Sequence, residues 1–300
     1  DVRNNCSSGG VATPPTHHFI NKEGIVYSSA FNEGCFRITR AKTIESARSF
    51  VGSKYVKSNP DGVYESIQDD LKNGEKVLVI GLPCQIAGIK AFFKNKDTES
   101  LYTADLICHG TPSRKLLQRF LNQYNVDLND CIDIRFRHKS RDVTSESAYR
   151  TITSNGTTDL YSVGFQHGIT FTKNCYTCKF ASVERVSDIT FGDSWGSDLD
   201  ETELNRGINL ILCQTEKGLD LLEVDSIIKF DVDYDRAISK NEQLNHPVKA
   251  SLKREKFFSL VGRGYSINKA IIVTLPGSYI RQIIKKILNQ LRLVKTKGNS

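Results

Sequence analysis

The chain has 300 residues, 39% of them hydrophobic and 25% charged, an ordinary balance for a globular protein with a sizeable core. No apolar run approaches the ~18 residues that a membrane-spanning helix needs, and the first residues do not have the pattern of a signal peptide, so a cytoplasmic location is expected. The net charge of +7 is uneven, because residues 249–300 hold twelve Lys/Arg and one acid, whereas residues 1–248 hold 29 Lys/Arg and 33 Asp/Glu. This distribution argues against a general nucleic-acid-binding surface.

The amino-terminal part is predicted to contain a glycine-rich turn, a helix and a β-hairpin. The turn Ser7-Ser8-Gly9-Gly10 opens a helical stretch that runs toward Ile20, in which two prolines are tolerable only in the first turn. Residues 24–30 and 35–41 are predicted strands on either side of an Asn-Glu-Gly turn. A short helix is expected over residues 44–50.

Two successive segments share a strand–loop–helix pattern. The first has a strand at 76–80, a turn at 81–84 and a helix at 85–93. The second has a strand at 101–107, a turn at 108–112 and a helix that Ser113 caps and that runs to about Tyr124. Such units indicate parallel strands joined by crossovers, so the predicted class is α/β with a mixed sheet.

The remaining chain is predicted to add strands, a hairpin and a helical tail. Strands are expected at residues 131–137, 186–191, 208–213 and 227–232, with a helix at 216–223. Asn155-Gly156 predicts a hairpin between residues 149–153 and 158–163. From about residue 240 the chain is predicted to be helical and basic, so we expect an α/β domain over residues 1–240 and a helical extension over residues 241–300.

The cysteines indicate a metal or redox site, because a reducing compartment seldom allows eight cysteines to form disulfides. Cys175 and Cys178 form a C-x-x-C pair, while Cys84 and Cys108 each follow the carboxyl end of a predicted parallel strand. If those strands are neighbours, four thiolates converge at one edge of the sheet. A 4Fe–4S cluster requires this complement, and zinc fits it equally well. The other four are predicted to be small buried residues, namely Cys6, Cys35, Cys131 and Cys213.

The turn Ser7-Ser8-Gly9-Gly10 has small residues, free backbone N–H groups and a helix start, which together are typical of phosphate or pyrophosphate binding. An ordinary helix-capping turn is the alternative. Downstream, Lys54, Tyr55 and Ser58 supply a cation and hydroxyl groups.

Taken together, six segments resemble the coenzyme F-420 hydrogenase/dehydrogenase beta-subunit family. The matching residues are Ser7-Ser8-Gly9-Gly10-Val11, Gly52-Ser53-Lys54-Tyr55-Val56, Gly81-Leu82-Pro83-Cys84-Gln85, Asp105-Leu106-Ile107-Cys108-His109-Gly110, Cys175-Tyr176-Thr177-Cys178-Lys179-Phe180 and Ser187-Asp188-Ile189-Thr190-Phe191-Gly192-Asp193-Ser194-Trp195-Gly196. They follow the order that the family has and cover residues 3 to 215. The long blocks that contain cysteine make the match specific.

The resemblance implies an FAD-binding α/β domain beside a 4Fe–4S cluster, with hydride or electron exchange at the flavin. By resemblance, the Ser7-to-Gly10 turn would cradle FAD phosphates, and the downstream Lys54, Tyr55 and Ser58 would join the cofactor site. The isoalloxazine would lie beside Gly81, Pro83 and Gln85. The cluster would be held by Cys84, Cys108, Cys175 and Cys178, and Asp193 would face the same pocket.

The resemblance also suggests a proton donor, a redox partner and a class of small-molecule substrate. His109 could give a proton to reduced flavin or substrate, although a surface histidine is the alternative. Many members carry a ferredoxin module before the Ser-Ser-Gly-Gly segment. Here that module is expected to be absent or supplied by another polypeptide, so a ferredoxin-like or other redox protein is an expected partner. The expected small molecule is a hydride donor or acceptor, either an F-420-type deazaflavin or an unknown compound, since some members of the family belong to polysaccharide-synthesis systems.

Two other classes of function stay open. One is a zinc-stapled scaffold without flavin. The other treats the basic tail as the functional feature of an adaptor at a membrane surface, since Ile280, Ile283, Ile284 and Ile287 follow helical spacing among basic residues. Nucleic acid is not an expected partner, because the tail lacks the interleaved aromatic residues of single-strand binders.

Overall fold

The structure of the protein, a computed structural model, describes residues 6–137 and 160–290. Its centre is a six-stranded mixed sheet with the strand order β2-β1-β3-β4-β5-β6. The strands are β1 (Ile25–Asn32), β2 (Cys35–Ala41), β3 (Val77–Gly81), β4 (Leu101–Leu106), β5 (Ile189–Asp193) and β6 (Asn209–Cys213). The α/β class and the mixed sheet predicted from the sequence are confirmed.

The four inner strands are parallel, and each edge strand is antiparallel to its neighbour. β1 pairs with β3, β3 with β4, and β4 with β5 in parallel register, with Gly81 opposite Asp105 and Leu106 opposite Phe191. The carboxyl ends of β3, β4 and β5 therefore meet at one edge of the sheet, which we call the carboxyl edge. Loops that follow these strands can bring side chains together there.

The described helices flank the sheet or form a separate helical layer. They are α1 (Thr13–Asn21), α2 (Ile44–Ala47), α3 (Val63–Lys72), α4 (Pro83–Phe92), α5 (Arg114–Asn122), α6 (Leu160–Gln166), α7 (Glu201–Arg206), α8 (Glu216–Asp220), α9 (Tyr234–Lys240), α10 (Leu252–Gly262), α11 (Ile267–Thr274) and α12 (Pro276–Gln290). The prolines near the start of α1 lie in its first turn, where a missing N–H costs little. None of the helices that the structure describes is long and apolar enough to cross a membrane.

The core lies on both faces of the sheet and between the helices beyond it. Successive residues of β3 contribute to opposite faces, since Leu78 belongs to one buried cluster and Val77 and Val79 to another. A third cluster joins α5 and α6 to α10 and α11 through side chains such as Leu117 and Ile271. Helices on both sides of residue 240 thus share one core, and the domain boundary predicted there stays a prediction.

Three strand predictions are wrong. Residues 131–137 form no strand, because their buried Ile134 and Phe136 pack into the helical cluster without a neighbouring strand. Residues 227–232 also form no strand, and their apolar side chains are largely exposed. Residues 160–163 belong to helix α6, whereas the rest of the predicted hairpin at 149–159 lies outside the described residues.

Candidate metal centre

A cavity of about 220 Å³ lies at the carboxyl edge, and all four predicted ligand cysteines line it. Cys84 lies in the first turn of α4, directly after β3, and Cys108 lies in the turn after β4. The C-x-x-C pair comes from a short 3₁₀ helix (Lys173–Thr177) and the residue that follows it. Each of these cysteines is partly exposed. The structure therefore brings together thiols that are up to 94 positions apart in the sequence.

The turn that carries Cys84 is fixed by a buried glutamine. The Gln85 amide oxygen accepts a hydrogen bond from the Leu82 backbone N–H at 3.0 Å, and its amide nitrogen donates to the Ser58 carbonyl at 3.0 Å. Pro83 occupies the first turn of α4, where its fixed φ favours the helix start. Gln85, predicted to lie beside a flavin, here joins two loops that border the site.

The turn that carries Cys108 depends on a close backbone approach at Gly110. This residue has a φ of 128°, and a Cβ atom placed there would lie 2.4 Å from the Phe171 ring. Beside it, the Thr172 N–H donates to the Thr111 carbonyl at 3.0 Å, so the Cys108 turn and the C-x-x-C segment are joined directly. Glycine is required here by both the dihedral angle and the space.

Cys175 receives hydrogen bonds at its sulfur. The Thr111 backbone N–H donates to Cys175 Sγ at 3.4 Å, and the Thr172 hydroxyl lies 3.3 Å from the same sulfur. Donors of this kind stabilise a thiolate, and hydrogen bonds to sulfur are one determinant of the potential of an iron–sulfur centre. Arg254 also fixes the chain just before the C-x-x-C pair, because its guanidinium donates a hydrogen bond to the Phe171 carbonyl at 3.1 Å.

The residues after the C-x-x-C pair are held to the sheet by the guanidinium of Arg185. It donates to the backbone carbonyls of Phe180 at 2.8 Å and Leu106 at 3.1 Å. It also pairs with Asp105 of β4 at 2.9 Å. One buried side chain therefore connects the C-x-x-C segment to the strand that leads to Cys108.

The thiols are close enough to affect one another's ionisation. Burial, together with the charges of Cys175, Cys84 and Cys178, raises the pKa of Cys108 to about 12, although a hydrogen bond from the Gly110 backbone opposes the shift. Burial also raises the pKa of Cys84, whereas the nearby charge of Lys57 lowers it. Four thiolates crowded together without a cation are unfavourable, and a bound metal centre would compensate their charge.

Four thiols are a donor set that both a zinc ion and a 4Fe–4S cluster accept. Among the residues that the structure describes, no group of three or more His, Cys, Asp or Glu side chains converges as one metal ion requires. A zinc ion needs four sulfurs at about 2.3 Å from one point.

His109 and Asp193, the two predicted catalytic residues, lie at neighbouring positions of the carboxyl edge. His109 lines the cavity and is exposed at its mouth, although burial lowers its pKa while the charge of Asp193 raises it. Asp193 ends β5 outside the cavity lining, and its carboxylate accepts a hydrogen bond from Arg137 at 2.8 Å. Arg137 thus holds the Asp193 carboxylate in place at the end of β5.

The turn Ser7-Ser8-Gly9-Gly10 packs against the first residue of β6. Asn209 accepts a hydrogen bond from the Val11 N–H at 3.2 Å, and a Cβ atom at Gly9 would lie 2.5 Å from its side-chain oxygen. Asn209 is also the partner of Asp193 in the β5–β6 register. The turn is thus linked through two polar residues to the neighbourhood of the cysteine cavity.

The hydroxyl groups of this turn already have protein partners. Ser7 accepts a hydrogen bond from the Ser53 N–H at 2.8 Å, and Ser8 donates to the Ile208 carbonyl at 3.0 Å. The Lys54 ammonium donates hydrogen bonds to the carbonyls of Ser49 and Val51, both at 2.9 Å. A dinucleotide at this turn would therefore have to be held mainly by backbone N–H groups.

The remaining predicted cofactor residues support the loops around the site. Tyr55 stacks on the Phe165 ring with the centroids 4.2 Å apart, and buried Ser58 contacts Ser29. Gly81 is the last residue of β3. Among the other four cysteines, Cys213 is exposed on the edge strand, so its predicted burial is wrong.

Sequence reasoning did not identify four residues that contribute to this region, namely Lys57, Arg137, Arg185 and Asn209. No local pattern distinguishes them, because each acts through contacts with residues distant in the sequence. Lys57 lies directly beyond a segment that the resemblance included.

The comparisons with known proteins agree with this geometry. The family model that matches describes the C terminus of the beta subunit of coenzyme F420 hydrogenase/dehydrogenase, and it covers residues 74–232, more than half of the chain. The chain belongs to this family. The matched range contains all four cysteines of the cavity, and membership supports an oxidoreductase role.

The fold is also similar to a solved structure, that of a chain in a xenon derivative of the F420-reducing NiFe hydrogenase complex from Methanosarcina barkeri. The TM-score is 0.51 at 17% sequence identity, and the match covers 86% of this chain and 89% of that chain. At this identity the likeness concerns the fold. A search of curated proteins finds no match to the chain.

Proposed function

We propose that the protein is a flavin- and iron–sulfur-dependent oxidoreductase. In this proposal Cys84, Cys108, Cys175 and Cys178 hold a 4Fe–4S cluster near FAD, and electrons pass between cluster, FAD and a hydride-exchanging small molecule. The observation that carries the proposal is the single cavity that these four cysteines line, in a chain of this family. A cytoplasmic location belongs to the same proposal.

The chain's own residues would prepare the site for that chemistry. A bound flavin can exchange two electrons as hydride and single electrons with a neighbouring cluster. The Thr111 N–H would stabilise the thiolate of Cys175, and Arg185 would keep the C-x-x-C segment beside Cys108. In this proposal His109, which lines the cavity, would hold or pass a proton.

Flavin binding is proposed on family membership and on the arrangement of the carboxyl edge. The Ser7-to-Gly10 turn, Asn209, Asp193 and His109 follow one another along that edge toward the cysteines. The substrate is proposed to be a small-molecule hydride donor or acceptor, such as an F-420-type deazaflavin. The electron partner is proposed to be a ferredoxin-like or other redox protein.

Metal analysis after anaerobic purification tests the proposal. We expect about four irons and four sulfides per chain, with flavin absorption bands above a broad brown shoulder. Replacing Cys84, Cys108, Cys175 or Cys178 singly by serine should lower the iron and sulfide content. Stoichiometric zinc without sulfide would instead establish the zinc-stapled scaffold.

Matched controls come from cysteines outside the cavity. Serine at Cys35, Cys131 or Cys213 should leave iron and sulfide nearly unchanged, because none of these residues lines the cavity. For the flavin, FAD titration followed by fluorescence should show weaker binding in Asp193→Asn than in the wild type. Glycine variants of the turn are less informative, since a side chain at Gly9 would also displace Asn209.

Peripheral membrane contact through α12 is part of the proposal only as a secondary function. Its Ile280, Ile283, Ile284 and Ile287 are exposed among basic residues. Sedimentation with anionic vesicles that is equal with and without residues 277–300 would refute this contact.

A further inference from the structure

Nine consecutive residues between helices α8 and α9, residues 228–236, are all exposed, and we call them the exposed segment. Every second residue over its first seven positions has a large apolar side chain with 44% to 69% of its surface exposed, namely Ile228, Phe230, Val232 and Tyr234. Single apolar residues on a protein surface need no explanation, whereas a contiguous group of them marks an interaction site. The exposed segment is therefore a candidate binding surface.

The backbone of the exposed segment is open as well. Within the part of the chain that the structure describes, no hydrogen bond joins an N–H or C=O group of residues 228–232 to another group. Both ends of the segment are nevertheless anchored. Ile227 packs against the buried cluster that contains Phe191, and Ala237 is buried in a cluster with Leu210 of β6. The segment is thus held in place while its backbone groups remain available to a partner strand.

The exposed segment lies beside the last strand of the sheet. Burial raises the pKa of Cys213, the final residue of β6, and the positive charge of Lys229 lowers it, so Lys229 lies near that end of β6. β6 is the outermost strand on its side of the sheet. A second protein can therefore reach the segment from outside without displacing any part of the sheet.

The sequence of the exposed segment has the properties of a strand. Isoleucine, phenylalanine and valine favour strands, and no proline or glycine interrupts the run. In an extended conformation Ile228, Phe230 and Val232 lie on one face, and Lys229 and Asp231 lie on the other. The residues of a strand are therefore present, and the described chain supplies no neighbouring strand for them.

We propose that the exposed segment pairs with the same segment of a second copy of this chain, as two antiparallel strands related by a two-fold axis at Phe230. This axis places Ile228 opposite Val232 and Lys229 opposite Asp231, and each pair occurs twice. The apolar residues then form one continuous stripe, and the two Lys–Asp pairs lie on the other face. The open backbone groups become the hydrogen bonds between the two strands.

The charges of the segment favour a second copy as its partner. Two identical strands in antiparallel pairing match only if the sequence of charges is complementary to its own reverse, which the Lys-Phe-Asp order at residues 229–231 satisfies. They also select the register. An axis moved by one position to Asp231 would set two carboxylates opposite each other, which is unfavourable. The pairing centred on Phe230 has no such conflict.

Sedimentation velocity of the anaerobically purified full chain tests the proposal. We expect a reversible dimer with a Kd on the order of micromolar, because two short strands bury less surface than a standard interface. Lys229→Asp sets two carboxylates opposite each other, and Asp231→Lys sets two ammonium groups opposite each other. Each change should raise the Kd of the dimer by about tenfold or more.

Exchanging both charges should restore the dimer. In the double variant Lys229→Asp/Asp231→Lys each aspartate again lies opposite a lysine, so its Kd should return to near the wild-type value. An equimolar mixture of the two single variants should form a heterodimer, because the two carboxylates of one copy then face the two ammonium groups of the other. A general loss of stability in the single variants would produce neither result.

A matched control comes from the exposed apolar residues of α12. Phe230→Glu should abolish the dimer, whereas Ile284→Glu, which puts the same charge at a half-exposed residue of α12, should leave it unchanged. Urea denaturation of both variants checks that they fold. A wild type that stays monomeric at about 200 µM, far above the expected micromolar Kd, would overturn the proposal. Loss of the dimer in Ile284→Glu, or no recovery in the double charge variant, would overturn it too.

Discussion

Arg185 and Asp105 form an ion pair with 2.9 Å between Nη2 and Oδ1, and both side chains are almost completely inaccessible to solvent. The same carboxylate oxygen accepts a hydrogen bond from the Thr190 hydroxyl at 2.7 Å, whereas Asp105 Oδ2 is buried without a partner in the described structure. Burial raises the pKa of Asp105, against the charge of Arg185. Removing one member of such a pair leaves an uncompensated buried charge.

Arg185→Leu should therefore lower the free energy of unfolding by roughly 3–5 kcal/mol, as measured by urea denaturation. Arg185→Lys keeps the charge but cannot reach Asp105 and the Phe180 and Leu106 carbonyls at once. We expect Arg185→Lys to fold and yet to hold less iron, because the C-x-x-C segment is no longer fixed to β4.

A second ion pair gives the matched control. Arg40 binds Asp70 through two hydrogen bonds of 2.8 and 2.9 Å, between β2 and α3 and away from the cavity. Arg40→Lys should also reduce stability but leave iron and sulfide per folded protein unchanged. Equal iron loss in Arg40→Lys and Arg185→Lys would mean that Arg185 acts only through general stability.

Gly110→Ala should destabilise the protein and lower its cluster content. The positive φ costs an alanine roughly 1–3 kcal/mol, and the added methyl group would in addition collide with Phe171. Gly74→Ala is the control, because Gly74 has a φ of 79° and open space around its Cβ position. Gly74→Ala introduces only dihedral strain, whereas Gly110→Ala adds the collision with Phe171. Comparing urea denaturation and iron content of the two variants therefore separates the two effects. Comparable iron content in the two would refute a role for that contact.

Stability should depend on pH through Lys54. Burial lowers the pKa of Lys54 to about 7, whereas an unfolded lysine titrates near ~10.4. Between these values the unfolded chain binds the proton that the folded protein lacks, so unfolding becomes more costly as the pH rises. Below about pH 7 both states are protonated, and the full penalty of burying the charge remains.

Lys54→Met keeps the length of the side chain and removes its titration. The gain in unfolding free energy between about pH 7 and pH 9 should be smaller in the variant, by at most ~1.4 kcal/mol per pH unit. Urea denaturation at several pH values measures it. Parallel pH profiles for wild type and variant would show that Lys54 does not contribute.

The isoleucines of the last two helices should differ strongly in their effect on stability. Ile271 of α11 is fully buried in the helical cluster, whereas Ile284 of α12 is half exposed. Ile271→Ala should cost about 2–5 kcal/mol, and Ile284→Ala should stay within about 0.5 kcal/mol. Thermal unfolding of the two variants makes this comparison. A large loss in Ile284→Ala would mean that the apolar face of α12 is covered in solution.

The central strands were predictable because their sequence signal is local. β3 and β4 are short apolar runs followed by turns with Gly, Pro and Cys, so both their positions and the cysteines beyond them could be anticipated. Residues 227–232 instead alternate apolar and polar side chains, a pattern that also predicts a strand, yet no strand forms there in the described structure. Alternation predicts a strand only where a neighbouring strand is available, and a single sequence does not supply that information.

The four cysteines that line the cavity could be predicted to lie together, whereas the residues that support them could not. C-x-x-C spacing and the placement of Cys84 and Cys108 after strands identified the thiols. Arg185 could not be identified, because its function depends on the parallel pairing of β4 with β5, which joins residues 85 positions apart such as Ala104 and Ile189. Helix α3 was missed, although Val63 and Ile67 show helical spacing.

The four cysteines of the cavity lie on segments that are far apart in the sequence, so we expect these segments to come together at different stages of folding. Cys84 and Cys108 become neighbours when β3 pairs with β4, but the C-x-x-C pair joins them only after the long crossover that leads to β5 is complete. Such non-local pairing is slow relative to helix formation. The four-thiol pocket is thus a late product of folding, and a cluster carrier would meet a finished sheet with an open side. We therefore expect the proposed cluster to be loaded into, and restored to, the folded protein without a new round of synthesis.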